Sequence, residues 1–264
     1  MRRSVPGFNP TTFTHEGITH DVYRAGAGPA VIVIHEMPGI HPGVVEFGQR
    51  LVDARYTVLM PSLFGRPGAT ITNGRMLRSL LQVCVAREFN ILAARTSPVV
   101  TWLRALAAKA HDECGGPGVG AIGMCFTGGF ALAMAVDPAV AAPVLSQPSL
   151  PVPLNGHKRS RVDIDEADLA QVKERTNQGL CVLGLRFSRD KYCPGERFET
   201  LRRELGRGFE CVEINSSPGN EYGIPKKAHA VLTVALVDEP GHPTRAALDR
   251  VMEFLSERLH PSPV

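Results

Sequence analysis

Cys125, Asp190 and His229 occur in that order and offer a nucleophile, an orienting acid and a base. A thiol needs a base to take or hold its proton, and the base needs a third group to orient it. Each of the three follows a strand-like run. Cys125 comes after the apolar Val119–Gly123, and Asp190 after the run ending at Phe187. His229 lies between the last strand-like run, Phe209 to Ile214, and the final helical pattern. Alternatives compete at two positions. Asp190 also suits a cap for a helix beginning at Pro194, but it is the only carboxylate immediately after its strand. Asp163, Asp165 and Asp168 read as loop and first-turn residues. His242 directly precedes Pro243-Thr244 and reads as the start of the last helix, so His229 is preferred as the base. Acyl chemistry also needs donors for the developing oxyanion. The backbone amides of Phe126 and Met37 stand in the right places, whereas Pro38 has no N–H.

Positioning the thiol falls to residues 119–135. An apolar run, a Gly-x-Cys turn and a small-residue helix succeed one another, with Ala131, Ala133 and Ala135 alternating with Phe130, Leu132 and Met134. Strand, sharp turn and helix put the thiol at an apex, near helix N–H groups that favour its anion. Gly123 leaves room for the turn. Gly128 and Gly129 allow close packing of the helix, at a propensity cost of about 1 kcal/mol each.

The remaining elements follow from pattern. Residues 11–25 alternate as a hairpin turning at Glu16-Gly17, and Ala30–Ile34 is a continuously apolar strand running into His35 and Glu36. His35 reads as structural. A helix is predicted over about 42–55, a strand over Tyr56–Met60, and a punctuated loop over 61–75. A helix over about 76–93 carries Arg78 and Arg87, with Arg75 just ahead of it. Ser97 and Pro98 start the next helix, which Gly115-Gly116 ends. Past the elbow come the strand Val140–Leu145, a Pro-rich connection over 147–161 and a helix over 165–178. A strand over 180–187, a helix over about 195–206, the strand 209–214 and the last helix complete the chain. Alternating strands and helices imply a mostly parallel, doubly wound sheet with helices on both faces.

Composition narrows the function classes. The chain has 264 residues, 44% of them hydrophobic, which suits one α/β domain spanning 1–264 with a short N-terminal extension over 1–10. A net charge of +3 with scattered Lys and Arg is too weak to argue for nucleic acid or a membrane surface. The run Lys158-Arg159-Ser160-Arg161 reads as a solvated loop. Residues 1–10 do not form a signal peptide and no apolar run is long enough to span a membrane. Six cysteines without a CxxC pair point to reduced thiols in the cytoplasm. No metal or organic cofactor is called for, and no phosphate-binding glycine loop is found.

His35-Glu36-Met37-Pro38-Gly39, the segment Gly123-Met124-Cys125-Phe126-Thr127-Gly128-Gly129, Asp190 ahead of Cys193-Pro194, and Ala228-His229 together resemble the dienelactone hydrolase family. That resemblance, over about residues 12–258, implies the α/β-hydrolase fold. It also implies a Cys-His-Asp triad opening an ester or lactone through an acyl-enzyme, as in the degradation of aromatic compounds. Glu36 would contact the resting thiol. A carboxylate there disfavours the thiolate, so Cys125 would stay quiet until a substrate carboxylate displaced Glu36. Three positions depart from the family pattern. Thr127 stands where the first paired glycine is expected, Thr233 where members carry an arginine thought to bind a substrate carboxylate, and Ser62 where Pro-Asp-Leu is usual. Arg87, Arg78 and Arg75, or Lys226 and Lys227, are candidate replacements for that arginine. The expected partner is a small ester or lactone, with or without a carboxylate, and the expected assembly is a monomer or small homo-oligomer. The alternatives are an esterase or acyltransferase for an unrelated substrate, or a non-catalytic, redox-sensing protein on the same scaffold.

Overall fold

Five consecutive apolar residues, Ala30–Ile34, form a strand (β3) buried at every position, as the centre of a parallel sheet requires. In the computed structural model, which describes residues 4–85, 89, 97–150, 159–162 and 164–260, β3 lies inside an eight-stranded sheet. The other strands are β1 (Asn9–His15), β2 (Ile18–Ala25), β4 (Thr57–Pro61), β5 (Val119–Met124), β6 (Val140–Ser146), β7 (Val182–Phe187) and β8 (Phe209–Ile214). Their spatial order is β1-β2-β4-β3-β5-β6-β7-β8. The hairpin β1–β2 and the β2–β4 pair are antiparallel, and every pairing from β4 to β8 is parallel.

Helices cover both faces. The helices α1 (Pro42–Asp53) and α7 (Pro243–Leu259) pack Val44, Phe47, Leu51, Val251, Phe254 and Leu255 against one face. On the other lie α3 (Pro98–Cys114), α4 (Gly128–Met134), α5 (Glu166–Asn177) and α6 (Gly195–Leu205), with Trp102, Leu132, Val172 and Phe198 in that core. The chain thus has the doubly wound α/β architecture expected from its alternating pattern.

Two details differ from the sequence reading. The helix anticipated over 76–93 begins earlier, at Asn73, and as α2 it is described to Val85; the rest of the expected span lies mostly outside the described residues. The segment before the hairpin is also anchored. Val5 and Phe8 form a bridge and are buried in the α1–α7 core, so residues 5–8 contribute to packing. No described helix is long and apolar enough to cross a membrane.

Parallel strands direct their C-terminal ends to one edge of the sheet, and in open α/β sheets ligand sites form beyond that edge. The turns after β3, β5, β6, β7 and β8 carry Glu36, Cys125, Ser149, Asp190 and His229 respectively.

Candidate active site

Cys125 directly follows β5 with φ of +56°, a left-handed conformation that a non-glycine residue adopts at a cost. A tight turn of Cys125–Thr127 then leads into α4. Gly123 is obligatory here, because a Cβ on it would lie 2.2 Å from the Thr127 carbonyl oxygen. The β-branched residue at position 127 is accommodated through its hydroxyl. Thr127 is fully buried; its Oγ1 accepts from the Met124 amide at 2.9 Å and reaches the Ile34 carbonyl at 2.8 Å. The elbow is therefore stitched to the end of β3. Phe126 buries its ring against Phe130, Phe64 and Phe89, which fixes the backbone immediately after the thiol.

Asp190 and His229 meet across the gap between β7 and the loop after β8. His229 Nδ1 lies 2.6 Å from Asp190 Oδ2, and the other carboxylate oxygen accepts from the Tyr192 amide at 2.9 Å. Asp190 is 4% exposed, so its charge is answered by these donors more than by water. Arg186 braces the same loop, donating to the Cys193 and Ser188 carbonyls and pairing with Glu213. The Tyr192 ring stands edge-on to His229 with centroids 5.5 Å apart. Burial alone would lower the His229 pKa. The charge of Cys125 and hydrogen bonds to Asp190 and Cys125 outweigh it, and the imidazole is held well above its usual 6.5. The three residues read from the sequence as nucleophile, base and acid are thus brought together.

Glu36 is placed differently from what the resemblance implies. Its carboxylate is 3% exposed and accepts from His41 Nε2 at 3.0 Å, from Gln147 Nε2 at 3.1 Å and from the Thr233 hydroxyl. His41 caps α1, its Nδ1 accepting from the Gly43 amide, so Nε2 carries the proton given to Glu36. Gln147 (φ +37°) also accepts from the Val231 amide at 3.2 Å and from the Ser146 hydroxyl. These contacts tie the His229 loop to the end of β3. The Cys125 sulfur instead has Ser149 within hydrogen-bond distance, its Oγ 3.0 Å from Sγ.

His35 is structural, as read. Its Nδ1–H faces the Glu36 carbonyl at 3.1 Å and its Nε2 accepts from the Leu63 amide at 3.2 Å. Burial pushes its pKa down to about 4, so the ring stays neutral. His242 caps α7, accepting from the Thr244 amide. Met37 is half-buried in the turn after β3.

The candidate cations do not gather at the site in the same way. Arg78, Lys226 and Lys227 are exposed, and Arg75 is turned onto Thr70. Arg87 lies outside the described residues. Among the described residues, no cluster of His, Cys, Asp and Glu could hold a metal ion. Sequence reasoning missed Ser149, Gln147 and His41. The available signal was topological: β6 neighbours β5, so a residue just beyond β6 must lie beside the elbow.

The dienelactone hydrolase family model matches residues 20–257. No curated protein matches the sequence. Among solved structures, a Klebsiella pneumoniae subsp. pneumoniae protein assigned as a dienelactone hydrolase is 18% identical, with a TM-score of 0.63 over 95% of this chain and 98% of that one. A dienelactone hydrolase-like promiscuous phosphotriesterase from metagenomic libraries is 17% identical, with a TM-score of 0.59 over 96% and 98%. Est1E from Butyrivibrio proteoclasticus is 14% identical, with a TM-score of 0.53 over 94% and 98%. At these identities the structures establish the α/β-hydrolase fold. With the family model spanning all but the ends of the chain, the protein belongs to the dienelactone hydrolase family and is a hydrolase.

Proposed function

We propose that the protein hydrolyses carboxylic esters or lactones through a Cys125–His229–Asp190 triad. The observation that carries this reading is His229, bonded to Asp190 at 2.6 Å and interacting with a cysteine held at φ +56° on a strand–turn–helix elbow. Cys125 attacks the acyl carbon while His229 holds the proton, and Asp190 keeps the imidazole in the tautomer and orientation that allow this. The amides of Met37 and Phe126 donate to the oxyanion. The alcohol leaves with the proton from His229. Water then attacks the thioester, His229 takes its proton, and the acid departs. Glu36 serves by holding the His229 loop through Gln147 and Thr233.

The substrate class follows the family, whose members act on small esters and lactones. With Thr233 committed to Glu36, the position that carries an arginine in relatives offers no cation for a substrate carboxylate. A neutral ester or lactone is accordingly the better fit. All six cysteines are free thiols, which suits a reducing cytoplasm.

A panel of small esters and lactones tests the reading. Turnover should appear on at least one substrate and fall by about a thousandfold or more in both Cys125→Ala and His229→Ala. Full turnover in Cys125→Ala would move the nucleophile elsewhere. No turnover on any substrate, together with ready oxidation of Cys125, would favour a redox sensor.

A further inference from the structure

The residue that touches the nucleophilic sulfur comes from a strand end that neither the motifs nor the triad single out. Ser149 Oγ lies 3.0 Å from Cys125 Sγ, and the Ser149 amide donates to the Cys125 carbonyl at 2.9 Å. The two residues are therefore joined by both backbone and side chain. Ser149 is 4% exposed, so water competes little for its hydroxyl.

Two features bring it there. Gly128, the first paired glycine of the elbow, faces Pro148; a Cβ at this position would lie 2.7 Å from the Pro148 Cβ. The missing side chain lets the segment after β6 come against the elbow. From the other side, Arg197 Nη1 donates to the Pro148 carbonyl at 2.5 Å and to the Tyr192 carbonyl at 3.3 Å. The same buried guanidinium thus spans the Ser149 segment and the loop that carries Asp190.

We propose that the Ser149 hydroxyl is a dedicated donor to the Cys125 sulfur, holding it before attack and again as it leaves the acyl-enzyme. The proposal rests on the reading of Cys125 as nucleophile. A hydroxyl can donate or accept, and a thiolate can only accept. When His229 holds the proton, the sulfur is an acceptor and Ser149 must be its donor. Acylation commits the sulfur electron pair to the new C–S bond and removes the charge that Ser149 answered. In deacylation, water adds to the carbonyl carbon and gives its proton to His229. The C–S bond then breaks, the electron pair returns to sulfur, and the Ser149 O–H stabilises the anion as it forms. Ser149 keeps its own proton throughout. It is a donor to the reacting atom, distinct from the base.

Ser149→Thr and Ser149→Val test this as a matched pair, because they differ mainly in the hydroxyl; Ser149→Ala is a third variant. Three readouts apply: thiolate ultraviolet absorbance at neutral pH relative to Cys125→Ala, the rate of Cys125 alkylation by iodoacetamide, and kcat against KM on the ester the panel selects. In Val and Ala, absorbance should fall, alkylation should slow about tenfold, and kcat should drop about tenfold without a rise in KM. Thr should restore all three. Parent-like absorbance and alkylation in the Val and Ala variants would overturn the proposal. So would a loss that Thr fails to restore, since that loss would belong to packing. Absorbance and alkylation need no turnover, so they test the sulfur contact even if the protein hydrolyses nothing in the panel. Retained turnover in Cys125→Ala would instead refute the nucleophile and leave the contact measurable.

Discussion

Two buried carboxylates stand beyond the strand ends, and their partners give them opposite jobs. Glu36, after β3, is ringed by His41, Gln147 and the Thr233 hydroxyl. Of these, His41 faces Glu36 through Nε2 while its Nδ1 accepts from the Gly43 amide. Asp190, after β7, accepts from a backbone amide and from His229, whose other interaction is with the thiol. The burial is nearly equal, at 3% and 4% exposure. The difference is connectivity. A carboxylate whose donors lead back into the scaffold braces loops, and one whose donor leads to the thiol is, in the proposed mechanism, the one that tunes a proton transfer.

The sharpest break of that contrast is Asp190→Asn. It keeps the shape and removes the charge, so kcat should fall by about a thousandfold while the fold persists. Imidazole NMR should follow the same change. In the parent, His229 should titrate well above 6.5, and both Asp190→Asn and Cys125→Ala should bring it down. The linkage has a definite sign. The folded His229 binds its proton more tightly than the unfolded chain, so its contribution to stability is complete below about pH 6.5 and is lost as pH rises through the folded value.

Glu36→Gln probes the other carboxylate. A side-chain amide places a donor among three donors and should cost about 2 kcal/mol in chemical denaturation. Iodoacetamide labelling of Cys125 should stay within about twofold of the parent, since Glu36 holds loops and Ser149 holds the sulfur. Markedly faster labelling would restore the family picture, in which this carboxylate restrains the resting thiol.

The smallest expected effect concerns the seam between the two regions. Thr127→Val keeps the shape but removes the acceptor for Met124 and the donor to the end of β3. A loss of about 1 kcal/mol in stability is expected, with kcat reduced less than tenfold. A larger loss in kcat would mean that the elbow depends on this stitch for its aim.

Much of the site was legible in the residues. Cys125, Asp190 and His229 could be found because each follows a strand pattern, and parallel strands must end at a common edge. Glu36 entered through the family resemblance, which pairs it with the thiol, whereas the structure surrounds it with other groups. Its partners, His41, Gln147 and Thr233, are separated from it by up to 197 positions, and no local pattern announces such pairings. Ser149 sits in a Pro-rich connection that reads as an ordinary loop.

Composition, periodicity and the Gly-x-Cys turn were enough to determine the α/β alternation and to suggest the chemical types of the proposed triad, because these depend on local geometry and burial period. Only tertiary structure decided which groups surround Glu36, which hydroxyl meets the sulfur, and where Thr127 finds its partners. Those choices depend on strand order, since the neighbours of β5 are β3 and β6. They also depend on how closely backbone can approach Gly123 and Gly128, at distances of 2.2 and 2.8 Å to where a Cβ would stand.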